Sequence, residues 1–226
     1  ISTAVTVPNA KIEDYLERFK EKSSLDIIKI IALDKTLIPS YEVAMDTAKK
    51  NAKEFVFQHI VPVVLMKGNI AIKKISGDQE KLEYCAITNF KIGYQLVSSI
   101  LLNKIFDILK KQKEDYTEEL KKFIGASEII TADRSELIER GIKAFKLEDY
   151  VSSIHILIFQ VEGILRDLLG KLGFPTFSYR DNEMREKMLQ DIILNLAPVQ
   201  GIDSDFLKFI EVYLCDSIGD NYRNDV

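Results

Sequence analysis

Through most of the chain, apolar residues recur at three- and four-residue spacing, and only five prolines and ten glycines interrupt them in 226 residues. That period lines one face of an α-helix with apolar side chains, so the fold class reads as mainly α. Residues 10–22 set Ile12, Tyr15, Leu16 and Phe19 on one face, and residues 25–33 form a short apolar helix stopped near Pro39. A third helix starts at Ser40, read as its N-cap, and carries Val43, Ala44, Ala48, Ala52, Phe55 and Val56 before Pro62 forbids continuation.

The helical pattern breaks once. Val63-Val64-Leu65-Met66 and Ile70-Ala71-Ile72 are apolar, mostly β-branched runs, joined through Lys67-Gly68-Asn69. Glycine and asparagine tolerate the positive φ of a tight turn, so a small β-hairpin is expected near 63–75. A long periodic segment follows from about Tyr84 to Lys113, with Ile87, Phe90, Ile92, Leu96, Val97, Ile100, Ile105, Ile108 and Leu109 inward. A shorter one runs from Thr117 to Ile124.

Gly125-Ala126-Ser127 reads as a joint, after which four helical stretches are expected at about 132–145, 148–171, 181–196 and 203–222. Their short connections fit an antiparallel four-helix bundle. Charge divides at the same place: residues 1–127 hold 20 basic and 17 acidic side chains, residues 128–226 hold 11 and 18. Two units follow, an N-terminal helical unit with a hairpin (1–127) and a C-terminal bundle (128–226). Lys49, Lys50, Lys53, Lys110, Lys111, Lys113, Lys121 and Lys122 would be the footprint of a polyanion; the competing reading is a set of solvated helix faces, because Glu114 and Glu118 flank the clusters.

Composition removes several function classes. The net charge of −4 argues against a nucleic-acid sheath over the whole surface. Two cysteines, Cys85 and Cys215, and two histidines, His59 and His155, cannot build a zinc finger or a disulfide scaffold. No metal and no cofactor is expected, since glycine-rich phosphate loops, paired-histidine zinc helices, calcium loops and Gly-x-Ser-x-Gly elbows are absent from the sequence. No run of about 20 apolar residues suggests a membrane span, so the chain reads as cytoplasmic with no membrane partner. Its Ile1-Ser2-Thr3-Ala4 start reads as that of an excised fragment. Cys85 and Cys215 read as small core residues, and His59 as a surface or helix-end group.

The densest polar arrangement on an apolar background lies in 153–169. There His155, Glu162 and Arg166 stand seven and four residues apart, on one stripe of a helix whose other faces are almost wholly apolar. Buried charge must be paired. One reading is a simple Glu162–Arg166 pair at the edge of a core helix; the other is a polar seam that faces a partner element. Arg223 and Asn224 at the end of the last helix are the candidate partner, against which stand the plain roles of a cation at the helix C-terminus and a helix cap.

Arg223-Asn224, set beside His155, Leu157, Glu162 and Arg166, resembles a bacterial and eukaryotic domain family of unknown function defined by an Arg-Asn-x-x-x-His-Gly motif, which in turn is similar to the HEPN superfamily of all-α domains. The resemblance covers roughly residues 130–226. It implies a HEPN-like bundle, RNA or a nucleotide as partner, and metal-independent ribonuclease chemistry, with Arg223 and Asn224 catalytic and His155, Glu162 and Arg166 binding. It also implies a homodimer through the C-terminal bundle. The histidine and glycine of the motif would fall beyond Val226, so the chain as it stands is expected to be inactive. Two non-catalytic alternatives remain: a nucleotide-binding module, and a dimerisation scaffold in which the stripe sets register.

The proposed chemistry suits those residue types. Cleavage of RNA without metal needs a group that takes the 2′-OH proton and a cation that stabilises charge on the phosphorane. Histidine titrates near neutrality, and arginine offers a permanently charged fork for phosphate oxygens.

Overall fold

Short polar side chains start several of the helices by accepting a hydrogen bond from the first turn, as Ser23, Asp115, Thr131, Asp149 and Asp203 all do. A computed structural model describes residues 9–55, 61–67, 69–112, 114–180 and 183–225. His59, Val56 and Lys113 lie outside the described residues, as do the side chains of Lys67, Arg180, Asn224 and Asp225.

The N-terminal part contains α1 (Asn9–Glu17), α2 (Ser24–Leu33), a short 3-10 turn (Lys35–Leu37) and α3 (Tyr41–Glu54). Strands β1 (Val63–Lys67) and β2 (Ile70–Ile75) pair antiparallel with a bulge after Leu65. Then come α4 (Asp78–Val97), a π-helical turn (Ser98–Leu102), α5 (Asn103–Lys111) and α6 (Tyr116–Gly125). The C-terminal part contains α7 (Ala132–Lys146), α8 (Tyr150–Lys171), strands β3 (Phe177–Arg180) and β4 (Glu183–Glu186), α9 (Leu189–Leu196), α10 (Ser204–Leu214) and a single turn, α11 (Tyr222–Asp225). The fold is mainly α, a bundle of helices carrying two small hairpins.

Two expected helices differ from this. The stretch 181–196 is helical only from Leu189, because 177–186 form a second antiparallel hairpin with Tyr179 opposite Met184, extended by the Lys187 N–H to the Thr176 carbonyl at 2.9 Å. Glu183-Met184-Arg185-Glu186 is good helix-forming sequence, and strand pairing overrides that local preference. The last helix stops at Leu214 rather than running to 222. The inward stripes also need amendment: Ile87, Phe90, Ile105 and Leu109 are buried, whereas Val43, Phe55 and Ile92 are exposed.

The larger core joins both halves of the chain. Ala44 of α3 and Ile87 and Phe90 of α4 pack in one cluster with Leu165 and Leu169 of α8, Leu189, Ile192 and Leu196 of α9, and Leu207 and Val212 of α10. A smaller cluster gathers Phe19, Ile27, Leu37, Ile105 and Leu109. Gly125-Ala126-Ser127 therefore divides charge, while the larger core runs across it. Asp78–Lys111 is a continuous helix long and apolar enough to cross a membrane, a property also shown by core helices. This one contributes Ile87, Phe90, Ile105 and Leu109 to the two cores, yet little of its most apolar stretch is buried, which corrects the expectation of no such run.

Polar contacts also tie the halves. Ser40 occupies the N-cap position of α3 but makes no side-chain cap bond; the Tyr41 N–H donates instead to Oδ1 of Asp205, 2.8 Å away and 164 residues on. Lys35 pairs with Asp203 at 2.7 Å, and the Lys208 ammonium lies 4.7 Å over the Tyr41 ring. The lysine clusters behave as solvated helix faces where they are paired: Lys121 with Glu118, Lys122 with Glu119, Lys49 with Asp46.

Two outcomes are expected. Asp205→Ala removes a cap from a distant helix and lowers stability by about 1 kcal/mol, read as a shift of the urea midpoint. Asp115 is held at about 2, below its ordinary 3.8, chiefly by its hydrogen bond to Lys146 and then by those from Thr117. Its folded pKa is depressed, so its contribution is present above pH 3.8 and is lost as pH falls toward 2. Asp115→Asn, followed by urea midpoints between pH 4 and 2, should flatten that acid sensitivity.

Candidate functional site

Helix α8 is the platform. Its length and apolar content make it the central helix of the bundle, and the i,i+4 spacing puts Glu162 and Arg166 one turn apart, with Nη2 of Arg166 2.7 Å from Oε1 of Glu162. Glu162 is buried, its side chain only 8% exposed. A carboxylate taken out of water this far needs more than one partner.

The second partner is Arg223, whose Nε stands 2.6 Å from Oε2 of Glu162. This is ion-pair contact with the N–H not aimed along a hydrogen bond, and Nε of both Arg223 and Arg166 lacks a directed acceptor. One buried carboxylate thus sits between two guanidinium groups, each about one-fifth exposed. The trio carries a net charge of +1.

Arg166 extends the cluster to the second hairpin. Its Nη2 donates to the Lys187 carbonyl at 3.1 Å, and its Nη1 lies 3.3 Å from Oε2 of Glu186. Lys187 itself is buried and reaches Oδ1 of Asn195 at 3.2 Å.

Arg223 reaches Glu162 because the chain doubles back after α10. Asp220 N–H donates to the Val212 carbonyl at 2.9 Å, and Ile218 N–H to Oδ1 of Asp216 at 2.7 Å. A Cβ on Gly219 would lie 1.8 Å from the Val212 carbonyl oxygen, so only glycine allows this approach. Asn221 takes a positive φ of 50°, and Lys91 of α4 pairs with Asp220. A helix continuing through 215–223 would instead have carried Arg223 about 13 Å further along the α10 axis.

His155 shares the stripe but not the cluster. It is exposed, its Nδ1 lies 2.7 Å from the Val151 carbonyl, and two helical turns, about 10 Å, separate it from Glu162. The backbone of Asn224 follows Arg223 in α11, and its side chain lies outside the described residues. Glu162, Arg166 and Arg223 are therefore brought together.

Sequence reasoning missed the opposite edge of α8. Arg134 of α7 lies across Gly163, bonding Oδ2 of Asp167 at 2.8 Å and Oε1 of Gln160 at 3.1 Å. A Cβ on Gly163 would meet Nη1 of Arg134 at 1.8 Å. A glycine inside a strongly helical run was the available signal of close approach. Burial pushes the thiol of Cys215, near this cluster, up to about 11, so it is a protonated packing group at neutral pH. Among the described residues no three His, Cys, Asp or Glu side chains are placed to hold a metal ion.

No protein-family model matches the chain, and no curated protein or solved structure matches it.

Gly219→Ala should cost at least about 2 kcal/mol, because the obstructing atom is backbone. Gly163→Ala meets the end of a flexible arginine and should cost about 1 kcal/mol, mostly through lost Asp167 and Gln160 bonds. Chemical denaturation of the two variants tests that ranking.

Proposed function

We propose that this is a HEPN-like, metal-independent RNA-binding or RNA-cleaving protein whose phosphate site is formed by Arg223 and Arg166. The observation that carries this is the shared carboxylate: Glu162 holds both guanidinium groups in place, and the second carboxylate on Arg166, Glu186, is itself exposed to water. A phosphate oxygen would pair with Arg223 and take the place of the exposed Glu186 carboxylate on Arg166, and a preorganised pair of forks loses little entropy on binding it.

In the Arg-Asn-x-x-x-His-Gly pattern, the histidine four positions after Asn224 would move the 2′-OH proton, Arg223 would stabilise the phosphorane, and Asn224 would orient the reacting groups. The 2′ oxygen would attack phosphorus and release the 5′ oxygen, leaving a 2′,3′-cyclic phosphate. A second reading, a non-catalytic nucleotide-binding module, is favoured by the position of His155, which stands about two turns from Glu162 and three from Arg166.

The test is binding of single-stranded RNA in EDTA, followed by fluorescence anisotropy across a salt series, with product ends analysed for the intact protein. Arg223→Gln should weaken binding about tenfold, the equivalent of about 1.4 kcal/mol, and flatten the salt dependence. Arg223→Lys should recover the salt slope but not the affinity. Affinity that is absent, or unchanged by Arg223→Gln, overturns the proposal; affinity without cyclic-phosphate products selects the binding module.

A further inference from the structure

A cleft of ≈ 500 Å³ opens beside the Glu162–Arg223 pair, within the size range of small-molecule sites. Val161 and Tyr222 line it, and Glu162 and Arg223, which follow them in the chain, stand one residue beyond its wall. The rest of its wall joins Tyr94, Phe209 and Tyr213 with the aliphatic side chains of Ile154, Ile158, Ile210 and Leu214. Tyr94 and Phe209 stand 4.6 Å apart, Phe209 and Tyr213 4.8 Å, and Tyr213 lies nearly parallel to Tyr222, with their planes 23° apart.

Two features of this wall are unexplained by packing. Tyr213 is 9% exposed, and its hydroxyl, shielded from water, meets no hydrogen-bond partner among the described residues. Such a group costs stability unless something pairs it. Tyr222 is 47% exposed although its ring belongs to the aromatic set. Gln95 and Asp220 add polar atoms to the lining, and the π-helical turn begins at Ser98 in the same wall. Turns of this kind recur at functional sites.

We propose that this cleft receives the planar base of a nucleotide whose phosphate lies against Arg223, an inference that rests on the phosphate-binding reading above. Aromatic faces stack on any base, the cation beside them suits the phosphate, and a base edge supplies the ring nitrogens and carbonyls that a buried tyrosine hydroxyl and an amide can use. A purely apolar occupant would use neither the hydroxyl nor Gln95. The base could belong to an RNA chain or to a free nucleotide.

The experiment measures the 226-residue protein against three probes by anisotropy or calorimetry: a single-stranded RNA oligomer, the same ribose-phosphate chain without bases, and the free nucleoside monophosphates. The oligomer with bases should bind roughly tenfold tighter than the abasic one. Tyr222→Ala should erase that difference while leaving abasic binding unchanged, and Tyr222→Phe, which keeps the ring, should restore it. Equal binding of both oligomers, with Tyr222→Ala indistinguishable from wild type, overturns the base site and leaves the phosphate reading standing. Monophosphate binding that depends on Tyr222, without RNA binding, keeps the base site and overturns the RNA reading. Absence of binding to all three probes overturns both.

Discussion

A carboxylate that has left water must be surrounded by cations, and in this protein that constraint organises the end of the chain. Glu162 is buried in a strongly apolar helix, where an unpaired charge would be strongly destabilising. Its own helix supplies Arg166 at a spacing that secondary structure dictates. The other oxygen is met by Arg223, which belongs to a separate single-turn helix and arrives only through a backbone reversal. The pairing thus ties the last described turn to the central helix, and through Arg166 it also ties in the hairpin between α8 and α9.

Helix α8 serves both faces of this arrangement. On one side Glu162 gathers Arg166 and Arg223; on the other, Asp167 and Gln160 hold Arg134 over a glycine. The helix draws its cations from α7, α11 and itself, each set against one of its own carboxylates. The reach of the core is equally indifferent to chain halves. Asp205 caps α3, Lys91 holds Asp220, and Phe90 packs in the same cluster as Leu207. The glycine joint at 125 marks a change in net charge within a body whose packing continues across it.

The misread segments share one cause. Residues 183–186 have helical preferences that favour the wrong structure when taken four at a time; antiparallel pairing with 177–180 decides otherwise. Ser40 does stand at the N-cap of α3, but its side chain makes no cap bond, and the N–H at Tyr41 is met by Asp205 from 164 residues away. The apolar period from Ile87 to Leu109 correctly marks an inward stripe at Ile87, Phe90, Ile105 and Leu109, yet Ile92 stays exposed. Periodicity reports which residues share a face and not how far a neighbour extends along it.

Helical class, the hairpin at 63–75, and the placing of Glu162 and Arg166 on one stripe follow from local spacing, because side-chain direction repeats with the backbone and needs no distant contact. The meeting of Arg223 with Glu162, the Arg134 clasp and the aromatic cleft depend on where separate segments lie in space. Those were settled by the reversal that Gly219 permits and by the shared core, contacts between residues far apart in the chain that no short-range pattern encodes.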